Sequence, residues 1–370
     1  MVLGVLKEPA FESRVSLLPE AVTALVKNGN RIFVEQDAGS KAFADDNAYT
    51  VAGATVSDRN TVIASAEIIL TIHPPAADEV FREKILIGIY QPLFNKKLMQ
   101  DWSGAGISSF SLDMLPRTTR AQTMDVLSSQ ANIAGYKAVL LAAASYSRYF
   151  PMFMTAAGSI APAKVLILGA GVAGLQAIAT ARRLGAVVEV FDTRPAVKEE
   201  VTSLGGKFIE VEGAADPSSA GGYAVEQTEE FMRRQQEKIS DSIAKADIVI
   251  TTAQIPGKQA PILVTAAMID RMRTGSMIID LAAATGGNTE LTKNNETLLK
   301  GGVTIIGNSS LAASVPADAS KLYGKNVLNF LQLIVDKTGV LNLNFEDDLV
   351  KGSCITHKGE ILHSRVKEII

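Results

Sequence analysis

Between Lys164 and Asp192 the chain reads KVLILGAGVAGLQAIATARRLGAVVEVFD, a β-branched run, a glycine turn, a helical stretch and a second β-branched run. The three glycines differ in what their spacing lets them do. Gly169 permits a tight turn, Gly171 leaves the backbone bare enough to approach a pyrophosphate, and Gly174 lets helix and strand pack closely. Val172 opens the helix, whose first turn offers free N–H groups and a positive dipole end to phosphates. Asp192 follows the turn at the offset, roughly 20 residues, of a ribose-reading acid. A carboxylate there accepts hydrogen bonds from both ribose hydroxyls of an adenosine and repels a 2′-phosphate, which favours NAD(H) over NADP(H). Thr193 and Arg194 continue the same strand end, and Arg194 is the group nearby that could instead meet a phosphate. A glycine-rich turn in an ordinary parallel sheet is the plain alternative.

A second polar cluster is PRTTRAQTMDVLSSQ, from Pro116 to Gln130. Arg117, Gln122 and Asp125 could fix a carboxamide and a ribose, because a nicotinamide offers both a donor and an acceptor. The same residues equally fit a helix N-cap at Thr119 or Thr123 with a solvated first turn.

The elements that must position these residues alternate along the chain. Val2–Leu6, Arg31–Val34, Ile68–Ile72, Ile85–Ile89 and Ile107–Leu112 read as strands, with helices at Pro19–Lys27 and near Phe43–Ala52 between them. Lys207–Val211, Asp247–Thr252, Ser276–Leu281 and Val303–Ile306 continue the pattern after the glycine unit. Alternation of this kind implies parallel sheets covered on both faces. Long helical patterns, Thr123 to Tyr146 and Ala317 to Lys337, flank the glycine unit and would carry the chain out of a first domain and back. The expected fold is therefore α/β, two Rossmann-like domains with parallel sheets, the first discontinuous, joined by long helices around a cleft. The boundaries expected are residues 1–127 plus 318–370, and 128–317.

Composition narrows the function classes. Thirty-six basic and 39 acidic residues in 370 leave no nucleic-acid or membrane-surface footprint. One cysteine excludes an internal disulfide, and three histidines (His73, His357, His363) lack ligand spacing, so no metal site is expected. Charge at Lys7 and Glu8 comes too early for a signal peptide. No apolar run reaches the ~18 uncharged residues of a membrane helix.

Taken together, the segment from Pro116, the run GAGVAGLQAIATARRLGA, Gly221-Gly222-Tyr223-Ala224, Thr252-Ala253-Gln254-Ile255-Pro256-Gly257-Lys258, PADASKLYGKNVLNFL and Asp347–Gly352 resemble the NAD(H)-binding part of the alpha subunit of proton-translocating NAD(P) transhydrogenase. The resemblance covers essentially the whole chain. It implies that Arg117, Gln122 and Asp125 orient the dihydronicotinamide, with Gln122 facing a partner's nucleotide, that Thr118 and Thr119 belong to the same loop, and that Ser128 adds a contact. It implies that Val172 and Asp192–Arg194 meet the pyrophosphate and adenosine ribose, and that Gly222, Gln235 and Gln254 add further contacts. Tyr223 matches the tyrosine of a loop that closes over nucleotide, and the run from Asp216 to Gly222 has lid-like composition. Gln254 stands where the family pattern leads one to expect leucine, and Gly307–Leu311 also departs from it. The implied partners are an NADP(H)-binding domain and a membrane subunit that moves protons, with a homodimer of this chain and a location on the cytoplasmic side, peripheral to the inner membrane. The chain stops at Ile370 without an apolar tail, so it is expected to be either a separately encoded subunit or a fragment, with the proton channel and the NADP(H) site on other chains.

Alanine dehydrogenase resembles the same fold and shares the wording Glu12-Ser13-Arg14-Val15. An amino-acid dehydrogenase also needs a proton acceptor and an oxo-acid binder. The positions that the resemblance assigns to them fall at His73 and Gln91, and Gln91 cannot act as a base. Hydride exchange between two nicotinamides needs no acid or base. A catalytically inert NAD sensor on the same scaffold is the third class.

Overall fold

The computed structural model describes residues 1–76, 81–211, 228–336 and 339–370. In chain order it begins β1 (Val2–Val5), α1 (Pro19–Lys27), β2 (Arg31–Glu35), α2 (Asp46–Val51), β3 (Thr55–Ser57), α3 (Arg59–Ser65), β4 (Ile68–Leu70), β5 (Ile85–Gly88), α4 (Lys96–Gly104) and β6 (Ser108–Ser111). A 3-10 segment at Thr119–Met124 leads into α5 (Val126–Ser145). The hairpin β7 (Phe153–Thr155) and β8 (Gly158–Ile160) follows, then β9 (Lys164–Leu168), α6 (Val172–Arg183), β10 (Val187–Phe191), α7 (Lys198–Ser203), β11 (Lys207–Phe208), α8 (Glu229–Ile243), β12 (Ile248–Thr251), α9 (Ala266–Asp270), β13 (Met277–Asp280), β14 (Glu296–Lys300) and β15 (Val303–Gly307). The chain closes with α10 (Pro316–Ile334), α11 (Asp348–Ser353), β16 (Cys354–His357), β17 (Glu360–Ile361) and α12 (Ser364–Lys367).

Two compact units result: Met1–Gln130 with Ala313–Ile370, and Ala131–Ala312. In the first, the sheet order is β17-β16-β6-β5-β4-β1-β2-β3. Strands β1 to β6 are mutually parallel, whereas β16 and β17, supplied by the C-terminal segment, add on antiparallel. In the second, the order is β11-β10-β9-β12-β13-β15-β14, parallel except for the edge strand β14. Both sheets reverse direction of growth once, between β1 and β4 and between β9 and β12. Ligands of open α/β sheets bind outside the carboxyl ends of strands at such switch points.

The strands form for the reason that parallel sheets generally do. Strands β4, β5, β12 and β13 are buried at every position, so their near-continuous Ile, Val and Leu content faces helices on both sides. Short helices start on side-chain caps, as Asp45, Asp58 and Thr265 accept from the backbone N–H groups of Ala48, Thr61 and Met268. Three expectations need correction. The helix expected near Phe43–Ala52 is shorter, Asp46–Val51, because Phe43 has a left-handed backbone (φ 63) that ends a separate 3-10 turn. The long helix begins at Val126 rather than Thr123, since the preceding residues coil as a 3-10 segment. The sheets are not wholly parallel, because each ends on one side in antiparallel strands, β16 and β17 in the first and β14 in the second, of which only the pairs β16–β17 and β14–β15 are joined by tight turns.

Candidate functional site

The glycine turn lies at the switch point of the second unit. Gly169, at the end of β9, has φ +106, and a Cβ there would lie 2.5 Å from the Thr252 hydroxyl oxygen at the end of β12. Position and conformation both demand glycine. At Gly174 a Cβ would fall 1.9 Å from the Gly169 carbonyl oxygen, so α6 can lie this close to its own turn only without a side chain. Gly171 is different: nothing stands within 4 Å of a Cβ there. It is the N-cap of α6, no side chain caps that end, and Val172 beside it is 38% exposed. An anion is the natural partner of such a helix start.

Asp192 closes the turn from the side. One carboxylate oxygen accepts the Ala170 N–H at 2.7 Å, which ties the tip of β10 to the glycine turn. Arg194 folds back on the same carboxylate through its backbone N–H (2.8 Å), Nε (2.9 Å) and Nη2 (2.8 Å). The hydrogen bonds from Arg194 to Asp192 raise the guanidinium pKa further above its ordinary value. Arg194 is thus already matched with a carboxylate, in the bidentate geometry that suits the pair. Thr193, half-buried, separates them.

Loops after β12 and β13 build the other wall. Thr252 Oγ1 donates to the Gly169 carbonyl at 3.1 Å. Asn288, fully buried, accepts from the Ala253 N–H and donates to the carbonyls of Ala253 and Pro261. Asp280, also fully buried, accepts from Ala282 N, Asn288 N and Thr292 Oγ1. Gln254, exposed just past the end of β12, donates to the Leu281 carbonyl at 3.1 Å. Gln235 lies apart from this group, 8% exposed on the inward stripe of α8 with Phe231, Ile239 and Ile243. Gly222, Tyr223 and the whole run Asp216–Gly222 fall outside the described residues. Sequence reasoning missed Asp280 and Asn288 as site supports, although the pair Gly286-Gly287 marked the turn they hold. It also missed Gly135, where a Cβ would lie 2.0 Å from the Ala173 carbonyl oxygen at the start of α6.

The Arg117–Ser128 cluster belongs to the first unit. Arg117, Thr118 and Thr119 are exposed at the start of the 3-10 segment. Ala121 and Met124 are its buried anchors, 4% and 6% exposed. Arg120 pairs with Asp347 and Asp348 at the start of α11. Gln122 stands exposed among these fixed neighbours. The cap expected at Thr119 or Thr123 is instead Asp125, whose carboxylate accepts the Ser128 N–H at 2.8 Å and the Ser128 hydroxyl at 2.6 Å. Asp125 immediately precedes the helix and reaches the donors of its first turn, whereas the 3-10 coil carries both threonines out of position.

The switch point of the first unit carries its own charges. Glu8 accepts the N–H groups of Ile72 (2.6 Å) and His73 (3.0 Å), and burial pushes its carboxyl up to about 7. Glu12 binds Arg14 through both oxygens and His73 Nε2 at 2.8 Å. Burial opposes ionisation of Glu12, yet Arg14 and His73 outweigh it and hold the carboxyl well below the usual carboxylate range. Arg14 Nη1 is taken by Gln130 at 2.7 Å. Gln91 has a left-handed backbone (φ 46) at the turn after β5.

Against known proteins, residues 4–134 match the model for the alanine dehydrogenase/PNT N-terminal domain and residues 138–364 that for the C-terminal domain. An NAD(P) transhydrogenase alpha-subunit chain of Rhodospirillum rubrum is 46% identical over 364 residues, covering 95% of both chains. The crystal structure of transhydrogenase from Sinorhizobium meliloti superposes with TM-score 0.89 at 44% identity, over 98% of this chain and 100% of that one. Alanine dehydrogenase of Staphylococcus haemolyticus is 27% identical, over 100% of this chain and 96% of its own. The chain belongs to the alanine dehydrogenase/PNT family, and its close homologues there are alpha subunits of NAD(P) transhydrogenase.

Proposed function

We propose that this chain binds NAD(H) and exchanges hydride between it and NADP(H) held on a separate NADP(H)-binding subunit, with a membrane subunit coupling the exchange to proton translocation. The observation that carries the reading is Gln122, an exposed carboxamide on a segment anchored on both sides of it, in a chain that also carries a built dinucleotide cradle. The pyrophosphate takes the N–H groups around Gly171 and Val172, and Asp192 with Thr193 and Arg194 takes the adenosine ribose. Arg117, Gln122, Asp125 and Ser128 orient the nicotinamide, with Thr118 and Thr119 beside them. Gly222, Tyr223, Gln235 and Gln254 add contacts to the nucleotide. Transfer between two nicotinamides removes a hydride from one ring carbon and adds it to another, so no side chain has to take up or release a proton. What the protein supplies is placement of the two rings within the ~3–3.5 Å of a near-attack geometry.

The rival reading, an alanine-type dehydrogenase, is weakened at the first unit's switch point. An oxo-acid carboxylate would need a free guanidinium there, and Arg14 is already held by Glu12 and Gln130. A base would need to stand where Gln91 is. That the relatives are subunits supports the partner chains. The β7–β8 hairpin supports a homodimer: Met152, Phe153, Met154 and Ile160 are 41–70% exposed around the stacked rings of Tyr149 and Phe153, an apolar surface suited to a second copy. Association with the cytoplasmic face of the inner membrane would then run through the partners, since among the described residues no helix is long and apolar enough to cross a membrane.

The deciding experiment adds the NADP(H)-binding partner domain to the chain and follows reduction of an NADP analogue by NADH. Gln122→Ala should slow that reaction by at least about tenfold while NADH affinity changes by less than about twofold, the pattern of an interaction made in the transition state. Equal loss in both, or full activity, would return the segment to a plain helix start.

A further inference from the structure

The Gln122 segment is held from one side by α10 of its own unit, and the hold is directional. Asn326 Nδ2 donates to the Thr123 carbonyl at 2.8 Å, and Asn329 Nδ2, one turn further along α10, donates to the same oxygen at 3.0 Å. Both lone pairs of that carbonyl are thereby used. The Asn326 amide is oriented by the Thr123 carbonyl, which can only accept, and its Oδ1 takes the Ser129 hydroxyl at 2.7 Å, a hydroxyl that also lies 3.1 Å from the Val126 carbonyl. Ser129 in turn accepts from Gln130, whose Oε1 receives Arg14. Asn326 is buried, 7% exposed. Asn326 thus joins the Thr123 carbonyl on one side to the Ser129 hydroxyl on the other.

The position of the clamped carbonyl makes it matter. Thr123 follows Gln122 and precedes the Met124 anchor and the Asp125 cap. Fixing the 123 carbonyl sets the plane of the 123–124 peptide, one residue past Gln122.

We propose that Asn326, assisted by Asn329, is a positioning residue for hydride transfer, acting through the Thr123 carbonyl on Gln122. This rests on the reading of Gln122 given above. Asn326 touches no nucleotide in this scheme, so its removal should cost rate and leave affinity alone.

The test uses the full chain with the partner domain added, and the variants Gln122→Ala, Asn326→Asp, Asn329→Ala and the double Gln122→Ala/Asn326→Asp. Asn326→Asp keeps the acceptor for Ser129 but sets a carboxylate oxygen against the Thr123 carbonyl. Hydride transfer should fall about tenfold, within the range that ~1 Å misplacements produce, with NADH affinity within about twofold of the parent. Asn329→Ala, at a half-buried site that tolerates truncation, should slow transfer about threefold and serves if Asn326→Asp does not fold. The double variant should be no slower than Gln122→Ala, because two residues acting through one contact are not additive. A merely structural role predicts additive losses and weaker binding, and either would overturn the proposal. Gln122→Ala slow with Asn326→Asp and Asn329→Ala at parental rate would overturn this proposal alone. Gln122→Ala at parental rate would overturn the reading beneath it as well.

Discussion

Two glycines three residues apart should fail in opposite ways when given a methyl group. At Gly171 the backbone is extended (φ −77, ψ −169), a conformation any residue adopts, and an added Cβ meets nothing within 4 Å. Folding loses only the preference of an N-cap for glycine over alanine, on the order of 0.5–1 kcal/mol. For a unit of this size that moves the melting midpoint by roughly 1–4 °C. The methyl group, however, fills the space from which a phosphate oxygen would reach the first-turn N–H groups. Losing one hydrogen bond to a charged group costs about 1.5–3 kcal/mol, so NADH affinity should fall roughly 10- to 100-fold. At Gly174 the added Cβ would sit 1.9 Å from the Gly169 carbonyl oxygen, which is backbone and can yield only if α6 moves off the strand. Overpacking of this kind costs about 1–3 kcal/mol or more, so Gly174→Ala should lower the midpoint by roughly 2–12 °C or more, further than Gly171→Ala does. Calorimetry on both variants, by titration with NADH and by thermal scan, separates the two effects. Gly171→Ala binding NADH within about twofold of the parent, or melting as low as Gly174→Ala, would refute the argument.

Asp192→Ala should weaken NADH by about tenfold and narrow its advantage over NADPH, because Arg194, released from the carboxylate, can then receive a 2′-phosphate; equal binding of both nucleotides by the parent would defeat this. Glu12→Gln leaves the buried Arg14 underpaired and should cost about 3–5 kcal/mol near neutral pH. The Glu12 carboxyl is held below its usual value, so its contribution is present above the ordinary carboxylate range and lost as pH falls, and the deficit of the variant should shrink in acid denaturation profiles. For Glu8, raised to about 7 by burial, the sign is opposite: its contribution is present in acid and lost as pH rises from the carboxylate range through about 7. Glu8→Gln should flatten that decline, and an unchanged stability-versus-pH curve would count against the assignment. The chain alone should form no NADH from L-alanine and NAD, and alanine-dependent NADH absorbance would favour the dehydrogenase reading.

What was legible in the sequence follows from the range of the interactions involved. The turn of Gly169, Gly171 and Gly174 and the place of Asp192 beside it could be read because one strand-turn-helix-strand unit contains all four residues. Strands β4, β5, β12 and β13 could be read because burial on both faces leaves unbroken apolar runs. Strand β14 could not, since every residue of it is exposed at the sheet edge and no apolar pattern marks it. Strands β16 and β17 escaped too, being four and two residues long, β16 defined by pairing with β6 across most of the chain and β17 by pairing with β16. The 3-10 segment has no composition of its own, and two threonines competed with Asp125 for the cap. Asp280 and Asn288 were invisible as supports because their partners are backbone groups that only the folded loops bring within reach.

The antiparallel closure of the first sheet by β16 sets an order of events during synthesis. Roughly 240 residues separate β6 from the strand that covers its edge, and the whole second unit lies between them. At about 5–20 residues per second a ribosome needs on the order of 10–50 s to bridge that gap. The second unit, one continuous stretch, can complete its sheet in the meantime. Until then β6 shows an unpaired row of N–H and C=O groups, the feature that invites strand addition by another chain. Its residues, Ser108, Ser109, Phe110 and Ser111, are mostly serine, and hydroxyls at an open edge keep it wetted. In the finished molecule Ser109 and Ser108 hand those hydroxyls to Thr356 and His357. A strand that must wait for its neighbour is thus built from side chains that tolerate the wait.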